Sequence, residues 1–170
     1  MDFLTLAKER YACKKYDGVM ITDDQLNTIL EAGRVAPTAK NLQEQRIYVA
    51  KSADSLAKID ECTPCRYNAP VALVVAYNKD TVFTYPGGKS SSGAEDAAIV
   101  ATHMMLAAKS VGVDSCWVNF FDPEKLASLL ELPENEEIVL VLDLGYPAQG
   151  AGPLPNHTNI KPFEETITII

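Results

Sequence analysis

Apolar residues are densest in one stretch near the middle of the chain, between Ala94 and Val111. Its charged side chains are Glu95 and Asp96 in the first turn and Lys109 in the last, an order that suits a helix dipole. Gly112 follows where a helix would end. The pattern predicts a helix over 94–111 with no wide polar face, and such a helix is buried in a core or between subunits.

Four apolar runs predict strands. Ala69–Tyr77 and Glu137–Tyr146 are continuous and β-branched-rich, as in strands buried on both faces. Arg46–Ala50 is shorter, and a fourth run begins at Val113 and ends at Asp122-Pro123. The end of this fourth run predicts one wall of a flat pocket, formed by Trp117, Asn119, Phe120 and Phe121.

Helical spacing predicts shorter helices elsewhere. Thr22 is a candidate N-cap with Gln25 three residues later, as in a capping box, and the helix that they begin would end at Ala36-Pro37. The long segment Asp80–Gly93 is rich in Gly, Ser and Pro and is interpreted as a lid or a simple connection. The other predicted helices are Phe3–Arg10, Asp54–Glu61 and Pro123–Leu130.

The end of the chain is extended rather than helical by composition. Gly and Pro are dense from Pro147 to Pro162, which disfavours helix. Thr166–Ile170 is β-prone, and an apolar strand left exposed promotes aggregation. We therefore expect this end to pair with a sheet, either of its own chain or of a partner.

Composition narrows the function classes. The length of 170 residues predicts one domain, spanning residues 1–170. The net charge of −8 argues against a nucleic-acid partner. The first residues lack the pattern of a secretory signal, so we expect a cytoplasmic protein with reduced cysteines. Cys62 and Cys65 form a CxxC motif, which is a redox pair, half a zinc site or two incidental thiols. No second pair of metal ligands has suitable spacing, and this favours incidental thiols.

A basic cluster stands out in this acidic chain, made up of Lys8, Arg10, Lys14 and Lys15. It is either the solvated end of a helix or an anion site, since Arg10 and Lys14 are four residues apart and could point the same way. The charge pattern alone leaves both interpretations open.

Four segments in order make the chain resemble the nitroreductase family of flavoproteins. They are Arg10-Tyr11-Ala12-Cys13-Lys14-Lys15-Tyr16; Ala36-Pro37-Thr38-Ala39-Lys40-Asn41-Leu42-Gln43; the central helix with Gly112-Val113-Asp114-Ser115-Cys116-Trp117; and Leu144-Gly145-Tyr146-Pro147 with Ile160-Lys161-Pro162-Phe163-Glu164-Glu165. The resemblance implies an α+β fold with a mixed sheet flanked by helices and a long buried central helix. It also implies an obligate homodimer that holds two FMN molecules at its interface, with a C-terminal arm reaching across the partner.

The same resemblance implies cofactor-binding residues. Arg10, Lys14 and Lys161 would bind the FMN phosphate, with help from His157 and Asn159. Pro37, Thr38 and Asn41 would edge the ring from the partner subunit. Trp117, Asn119 and Phe120 would lie along the ring near N5, although core packing is the alternative for Trp117 and Phe120.

One further cation is assigned from position alone. Arg66, just before a buried strand, is our candidate for stabilising the anionic N1–C2=O edge of reduced flavin. The chain also departs from the family pattern, because Tyr11 and Ala12 stand where a basic residue and a serine are usual. Glu44-Gln45 likewise replaces a frequent Pro-Trp.

The resemblance implies an FMN-dependent oxidoreductase that passes a hydride from NADH or NADPH, through flavin N5, to a nitroaromatic, quinone or similar acceptor. No catalytic side chain and no metal are expected, because the cofactor does the chemistry and the protein positions it. The alternative is a non-catalytic flavin-binding or flavin-sequestering dimer, consistent with Tyr11 and Ala12. A third hypothesis is a structural dimer without a cofactor.

Overall fold

The computed structural model describes residues 2–88 and 90–170, so Lys89 of the predicted 80–93 loop lies outside the described residues. The helices are α1 (Phe3–Glu9), α2 (Asp23–Arg34), α3 (Ala53–Asp60), α4 (Gly93–Ser110), α5 (Pro123–Leu129) and a single turn, α6 (Phe163–Thr166). The strands are β1 (Gln45–Ala50), β2 (Val71–Asn78), β3 (Asp114–Val118) and β4 (Glu136–Gly145).

The four strands form one sheet in the order β1-β2-β4-β3, and each neighbouring pair is antiparallel. The α+β class is confirmed. A mixed sheet was expected, but the four strands of the described chain are all antiparallel. Parallel pairing occurs there as an isolated bridge between Ala12 and Ser115. That bridge places residues 10–16, which we call the N-terminal segment, beside β3 at the edge of the sheet.

The two central strands are buried on both faces, as the sequence predicted. Leu73 and Leu142 belong to a core cluster that includes α2 and α4, whereas Val74 and Val141 face a second cluster with Ile59 of α3 and Leu126 of α5. Alternate residues of these strands therefore pack against helices on opposite sides of the sheet, because successive side chains on a strand point to opposite faces.

Helix α2 begins as predicted, with a capping box at Thr22. The Thr22 hydroxyl accepts the Gln25 N–H at 3.2 Å, and the Gln25 side chain accepts the Thr22 N–H at 3.0 Å. The Gln25 amide also donates to the Val111 carbonyl at 2.9 Å, which joins the start of α2 to the end of α4. Further along α2, a Cβ on Gly33 would lie 2.8 Å from the Met104 side chain, so this position requires glycine for the two helices to approach.

Helix α4 is buried on one side within its own chain, and burial of its other side between subunits stays a prediction. Val100, Ala101 and Met104 are fully buried against the sheet and α2. The opposite side, with Ile99, Thr102 and His103, is exposed in the described chain. Among the described residues, no helix is both long enough and apolar enough to cross a membrane.

Among the described residues, the C-terminal segment pairs with no strand, and its pairing with a partner's sheet stays a prediction. Thr166 lies in the helical turn α6, and the four residues after it form no strand. Ile169 is 94% exposed. The physical reason is that β propensity requires a neighbouring strand to pair with, and this segment has none within its own chain. The segment 147–162 contains no helix, as predicted.

Candidate functional site

The N-terminal segment lies along β3 and brings part of the basic cluster to the edge of the sheet. The Cys13 N–H donates to the Ser115 carbonyl at 2.9 Å, next to the bridge made by Ala12. The Tyr16 N–H then donates to the Tyr67 carbonyl at 3.0 Å. These main-chain bonds fix the backbone of the segment that carries Arg10 and Lys14.

Two of the cations in this segment are free to bind an anion. Within residues 2–88 and 90–170, neither Arg10 nor Lys14 forms an ion pair, and the Lys14 ammonium lies 6.0 Å from the Tyr67 ring centroid. Lys15 differs, because its ammonium donates to the Gln149 carbonyl at 3.2 Å. The adjacent lysines therefore have different surroundings.

Tyr11 is held between two basic side chains. The Lys109 ammonium is 5.5 Å from its ring centroid, and the His157 ring meets it edge to face at 6.4 Å. Burial, and then the Asp114 carboxylate, raise the pKa of Tyr11, so its hydroxyl stays protonated at neutral pH. His157 Nε2 lies 3.1 Å from the Lys8 carbonyl, which ties the C-terminal part of the chain to α1.

No hydrogen bond or ion pair between described residues joins Asn159 or Lys161 to Arg10 or Lys14. Asn159 and Lys161 are exposed, and the Lys161 ammonium lies 3.7 Å from Glu165 on the surface. Their assignment to FMN stays a prediction.

The end of β3 is organised by side-chain hydrogen bonds. The Trp117 indole N–H donates to the Asn119 side-chain oxygen, and the Asn119 amide donates to the Val139 carbonyl at 3.0 Å. Trp117 is half-buried against the core, as its alternative interpretation requires. Phe120 is 75% exposed, so core packing within this chain is wrong for Phe120. The Thr63 hydroxyl donates to the Phe120 carbonyl at 2.6 Å and fixes the backbone there.

The 37–43 loop has an unusual backbone held by short-range bonds. Lys40, Asn41 and Gln43 adopt the left-handed conformation, with φ of 52°, 56° and 54°. The Thr38 hydroxyl accepts the Gln43 N–H at 3.0 Å, and the Thr38 carbonyl accepts the Asn41 N–H at 2.9 Å. No hydrogen bond between described residues joins this loop, with its predicted contacts Pro37, Thr38 and Asn41, to the N-terminal segment.

Arg66 has a different set of partners from the one we expected. Its guanidinium binds both carboxylate oxygens of Asp60, at 2.7 and 2.5 Å, and donates to the Ala69 carbonyl at 2.6 Å. The side chain therefore stabilises the 60–69 turn. The position of an arginine before a strand does not show whether its guanidinium is exposed or paired. The sequence therefore did not predict that Arg66 binds Asp60.

The burial of three carboxyls was not predicted from the sequence. Glu44, Asp96 and Asp143 are at most 4% exposed, and each has side-chain oxygens without a hydrogen-bond partner among the described residues. The signals were present, since Asp143 interrupts an apolar strand and Glu44 replaces a usual proline.

All four cysteines are free thiols, and the described residues contain no cluster of three or more potential metal ligands.

Known proteins share this fold over its whole length. A nitroreductase family protein from Clostridium difficile has a TM-score of 0.92 and 32% identity, covering 99% of this chain and 98% of its own. A nitroreductase from Bacteroides fragilis, whose crystal structure contains bound FMN, has a TM-score of 0.81 and 26% identity, with 100% of both chains covered.

Sequence relatives agree with the structural neighbours. A protein of Methanothermobacter thermautotrophicus named "Putative NADH dehydrogenase/NAD(P)H nitroreductase" is 28% identical over 159 residues, which cover 89% of this chain and 81% of the relative. The sequence model of the nitroreductase family matches residues 7–63 and 64–146, and the chain therefore belongs to the nitroreductase family.

Proposed function

We propose that this protein is an FMN-dependent oxidoreductase that uses NADH or NADPH to reduce a nitroaromatic, quinone or similar acceptor. Membership of the family and the FMN-bound relative from Bacteroides fragilis support this function. The observation that carries it concerns Arg10 and Lys14, two cations without an ion-pair partner among the described residues. Both belong to the segment that lies beside β3, the strand that contains Trp117.

The residues present fit the FMN phosphate. A phosphate needs fixed cations and N–H donors, and each charge-assisted hydrogen bond contributes about 1.5–3 kcal/mol. Arg10 and Lys14 supply the charges, and His157 approaches the same segment through the Lys8 carbonyl. The nearby Asp114 carboxylate is paired with Lys109 at 3.2 Å, so its charge is offset there.

The residues at the end of β3 fit a flat aromatic ring. Trp117 and Phe120 offer apolar surface, and the hydrogen bonds of Asn119 and Thr63 hold their backbone in place. When bound, FMN supplies the two-electron chemistry that connects the nicotinamide to the acceptor. The chain supplies the orientation of the ring and a partly enclosed space around it.

The proposed active form is a homodimer. The outer side of α4 and the neighbouring α1 form an apolar groove of about 370 Å³, lined by Phe3, Leu6, Thr102, His103 and Leu106. Exposed apolar surface of this kind is typical of protein interfaces. A second copy would cover the groove, bring the 37–43 loop to the partner's N-terminal segment and receive the C-terminal arm with Lys161. We further propose a cytoplasmic location.

A non-catalytic flavin-binding dimer is the alternative. Tyr11 and Ala12 favour it, because the Tyr11 ring is held between Lys109 and His157 and Ala12 has no hydroxyl to donate. Both functions use the same site, and they differ in whether a nicotinamide can reduce the bound flavin.

The test is an absorbance spectrum of the purified protein after FMN addition and desalting, followed by anaerobic NADH or NADPH. Flavin bands that bleach with either nucleotide would establish the reductase and name its donor. Bands that persist would leave the flavin-binding alternative, and a protein without flavin bands would refute both.

Lys14→Ala and Lys15→Ala form a matched pair for the phosphate site. Losing one charge-assisted bond of about 1.5–3 kcal/mol should weaken FMN binding about 10- to 150-fold in Lys14→Ala. Lys15→Ala removes an equal charge one residue away and should change the affinity less than about threefold, because its ammonium contacts Gln149 instead. Equal losses in both variants would mean that only overall charge matters and would contradict the proposed site.

A further inference from the structure

Two buried carboxyls meet beneath the 37–43 loop. Asp96 lies in the first turn of α4 and accepts the Ala39 N–H of the loop through Oδ1 at 2.9 Å. Glu44 directly follows the loop, and burial, helped by the neighbouring Asp96 carboxyl, raises the pKa of Glu44. The residue exposures are 1% for Glu44 and 4% for Asp96, so the pair is shielded from water.

The pair requires a proton of its own. Glu44 Oε1, Glu44 Oε2 and Asp96 Oδ2 accept no hydrogen bond from any residue that the structure describes. Two ionised carboxylates at hydrogen-bonding distance in a dry site repel strongly, whereas one shared proton turns the repulsion into a hydrogen bond. Burial, and then the Asp96 carboxyl, raise the pKa of Glu44 to about 7, and Arg46 opposes this rise.

The surrounding charges have other partners. Arg46 of β1 pairs with Glu136 at 3.5 Å, and the Lys40 ammonium of the loop lies over the Phe83 ring at 4.6 Å. Glu95, next to Asp96 on α4, accepts the Tyr85 hydroxyl at the surface. On β2, burial raises the pKa of Tyr77, which stays neutral near pH 7. Among these groups, Glu44 is the one whose pKa is raised by burial to about 7.

The loop depends on this pair for its position. Three of its residues have left-handed backbones, which are disfavoured for side chains other than glycine, so the conformation persists only where contacts enforce it. The Ala39–Asp96 bond attaches the loop to α4. Thr38 and Asn41, on either side of Ala39, are the loop residues that we expect to meet the flavin.

We propose that Glu44 and Asp96 are positioning residues that share one proton, and that this proton couples FMN affinity to pH through the 37–43 loop. The inference rests on the proposed function for its ligand, and the pair itself is a feature of the chain without FMN. Below neutral pH the pair is protonated once, and Asp96 holds the loop through Ala39. Above it both carboxylates are ionised, they repel, and the loop is released, so FMN affinity falls.

The first measurement does not involve FMN. In the purified full-length protein, the Ala39 amide resonance is followed by NMR from pH 5.5 to 8.5. We expect one titration with a midpoint near neutrality in the wild type and none in Glu44→Gln, because the amide group donates a permanent hydrogen bond to Asp96. A flat wild-type curve, or an unchanged titration in Glu44→Gln, would overturn the shared proton.

The second measurement is the FMN dissociation constant across the same pH range. If FMN binding raises the pKa of the pair by about one unit, the wild-type affinity should fall about fivefold from pH 6 to pH 8 relative to Glu44→Gln. Using this ratio removes the titration of the FMN phosphate itself. Identical profiles in the two proteins would overturn the coupling even if Ala39 titrates.

Variants at Asp96 separate positioning from simple loss of structure. Asp96→Asn keeps an acceptor for Ala39 and donates to Glu44, so it should bind FMN with little dependence on pH. Asp96→Ala loses the loop contact and should bind weakly at every pH. Glu95→Gln, which removes one charge from the same helix turn, should keep the wild-type profile. Weak binding of equal extent in Asp96→Asn and Asp96→Ala would refute the role of the Ala39 bond.

One outcome separates this inference from the proposed function. If neither the wild type nor any variant bound FMN while the Ala39 resonance still titrated, the proposed function would fail and the shared proton would stand.

Discussion

Asp143 in the middle of β4 is predicted to reduce the stability of the protein at neutral pH. Its side chain is fully buried between Ala72 of β2 and Cys116 of β3, and neither carboxyl oxygen has a partner among the described residues. Burial raises the pKa of Asp143 to about 9 from an ordinary value near 3.8, although Arg66 opposes the rise. The folded protein therefore holds Asp143 protonated at pH 7, where the unfolded chain has lost that proton.

The size of the effect follows from this difference. Holding a proton about 3 pH units above the ordinary pKa costs about 4 kcal/mol, since one unit is worth about 1.4 kcal/mol. Asp143→Asn removes this cost but brings two N–H donors into a site without acceptors, which costs about 1–3 kcal/mol. We expect the variant to be more stable than the wild type by about 1–3 kcal/mol at pH 7.

The dependence on pH gives the sharper test. Because the folded pKa is raised, the stabilising contribution of Asp143 is fully present below about pH 3.8 and is lost as the pH rises towards 9. The advantage of Asp143→Asn should therefore grow by about 1.4 kcal/mol per pH unit between pH 5 and pH 8. Urea unfolding at one fixed protein concentration measures it, and Glu124→Gln, at an exposed site, is the control with a flat difference. A difference between Asp143→Asn and wild type that does not change with pH would mean that Asp143 is ionised in the folded state and would refute the reasoning.

Three other substitutions test the packing, the caps and the proposed interface. Gly93→Ala should destabilise the fold by about 1–3 kcal/mol in thermal unfolding, because its Cβ would lie 2.3 Å from the Tyr77 ring; Gly152→Ala, with no atom within 4 Å, should be near neutral. Asp122→Ala should cost about 1 kcal/mol, because the Asp122 carboxylate caps α5 by accepting the Lys125 N–H at 3.0 Å, and wild-type stability would show that this cap is unimportant. Leu106→Glu places a charge in the apolar groove and should shift the protein to monomers in analytical ultracentrifugation; an unchanged dimer would place the interface elsewhere.

Local signals in the sequence were enough to predict most elements of the fold. The capping box at Thr22 is a short-range pattern, and it fixes the start of α2 to the residue. The central helix was predicted over 94–111 and spans Gly93–Ser110, because its composition and terminal glycines act within the helix itself. The buried strands were found because continuous apolar runs have few other places to go in a protein of this size.

Contacts between distant residues could not be read from the same signals. Glu44 and Asp96 are far apart in the sequence, and nothing local to either residue indicates that they meet beneath one loop. Arg66 was assigned to the flavin from its position before β2. Its pairing with Asp60 depends on how the 60–69 turn closes, which the sequence does not show. The C-terminal segment looked like a strand, but a strand also needs an edge to pair with, and the segment finds none in its own chain.

The docking of the N-terminal segment on β3 has a consequence for solubility. β3 is an edge strand, and its free edge would be a template for intermolecular pairing. The bridge of Ala12 and the bond from Cys13 to Ser115 cover that edge with the same residues that carry Arg10 and Lys14. A proteolytic cut between Arg10 and Tyr16 would therefore remove the proposed phosphate site and expose an aggregation-prone edge in one event.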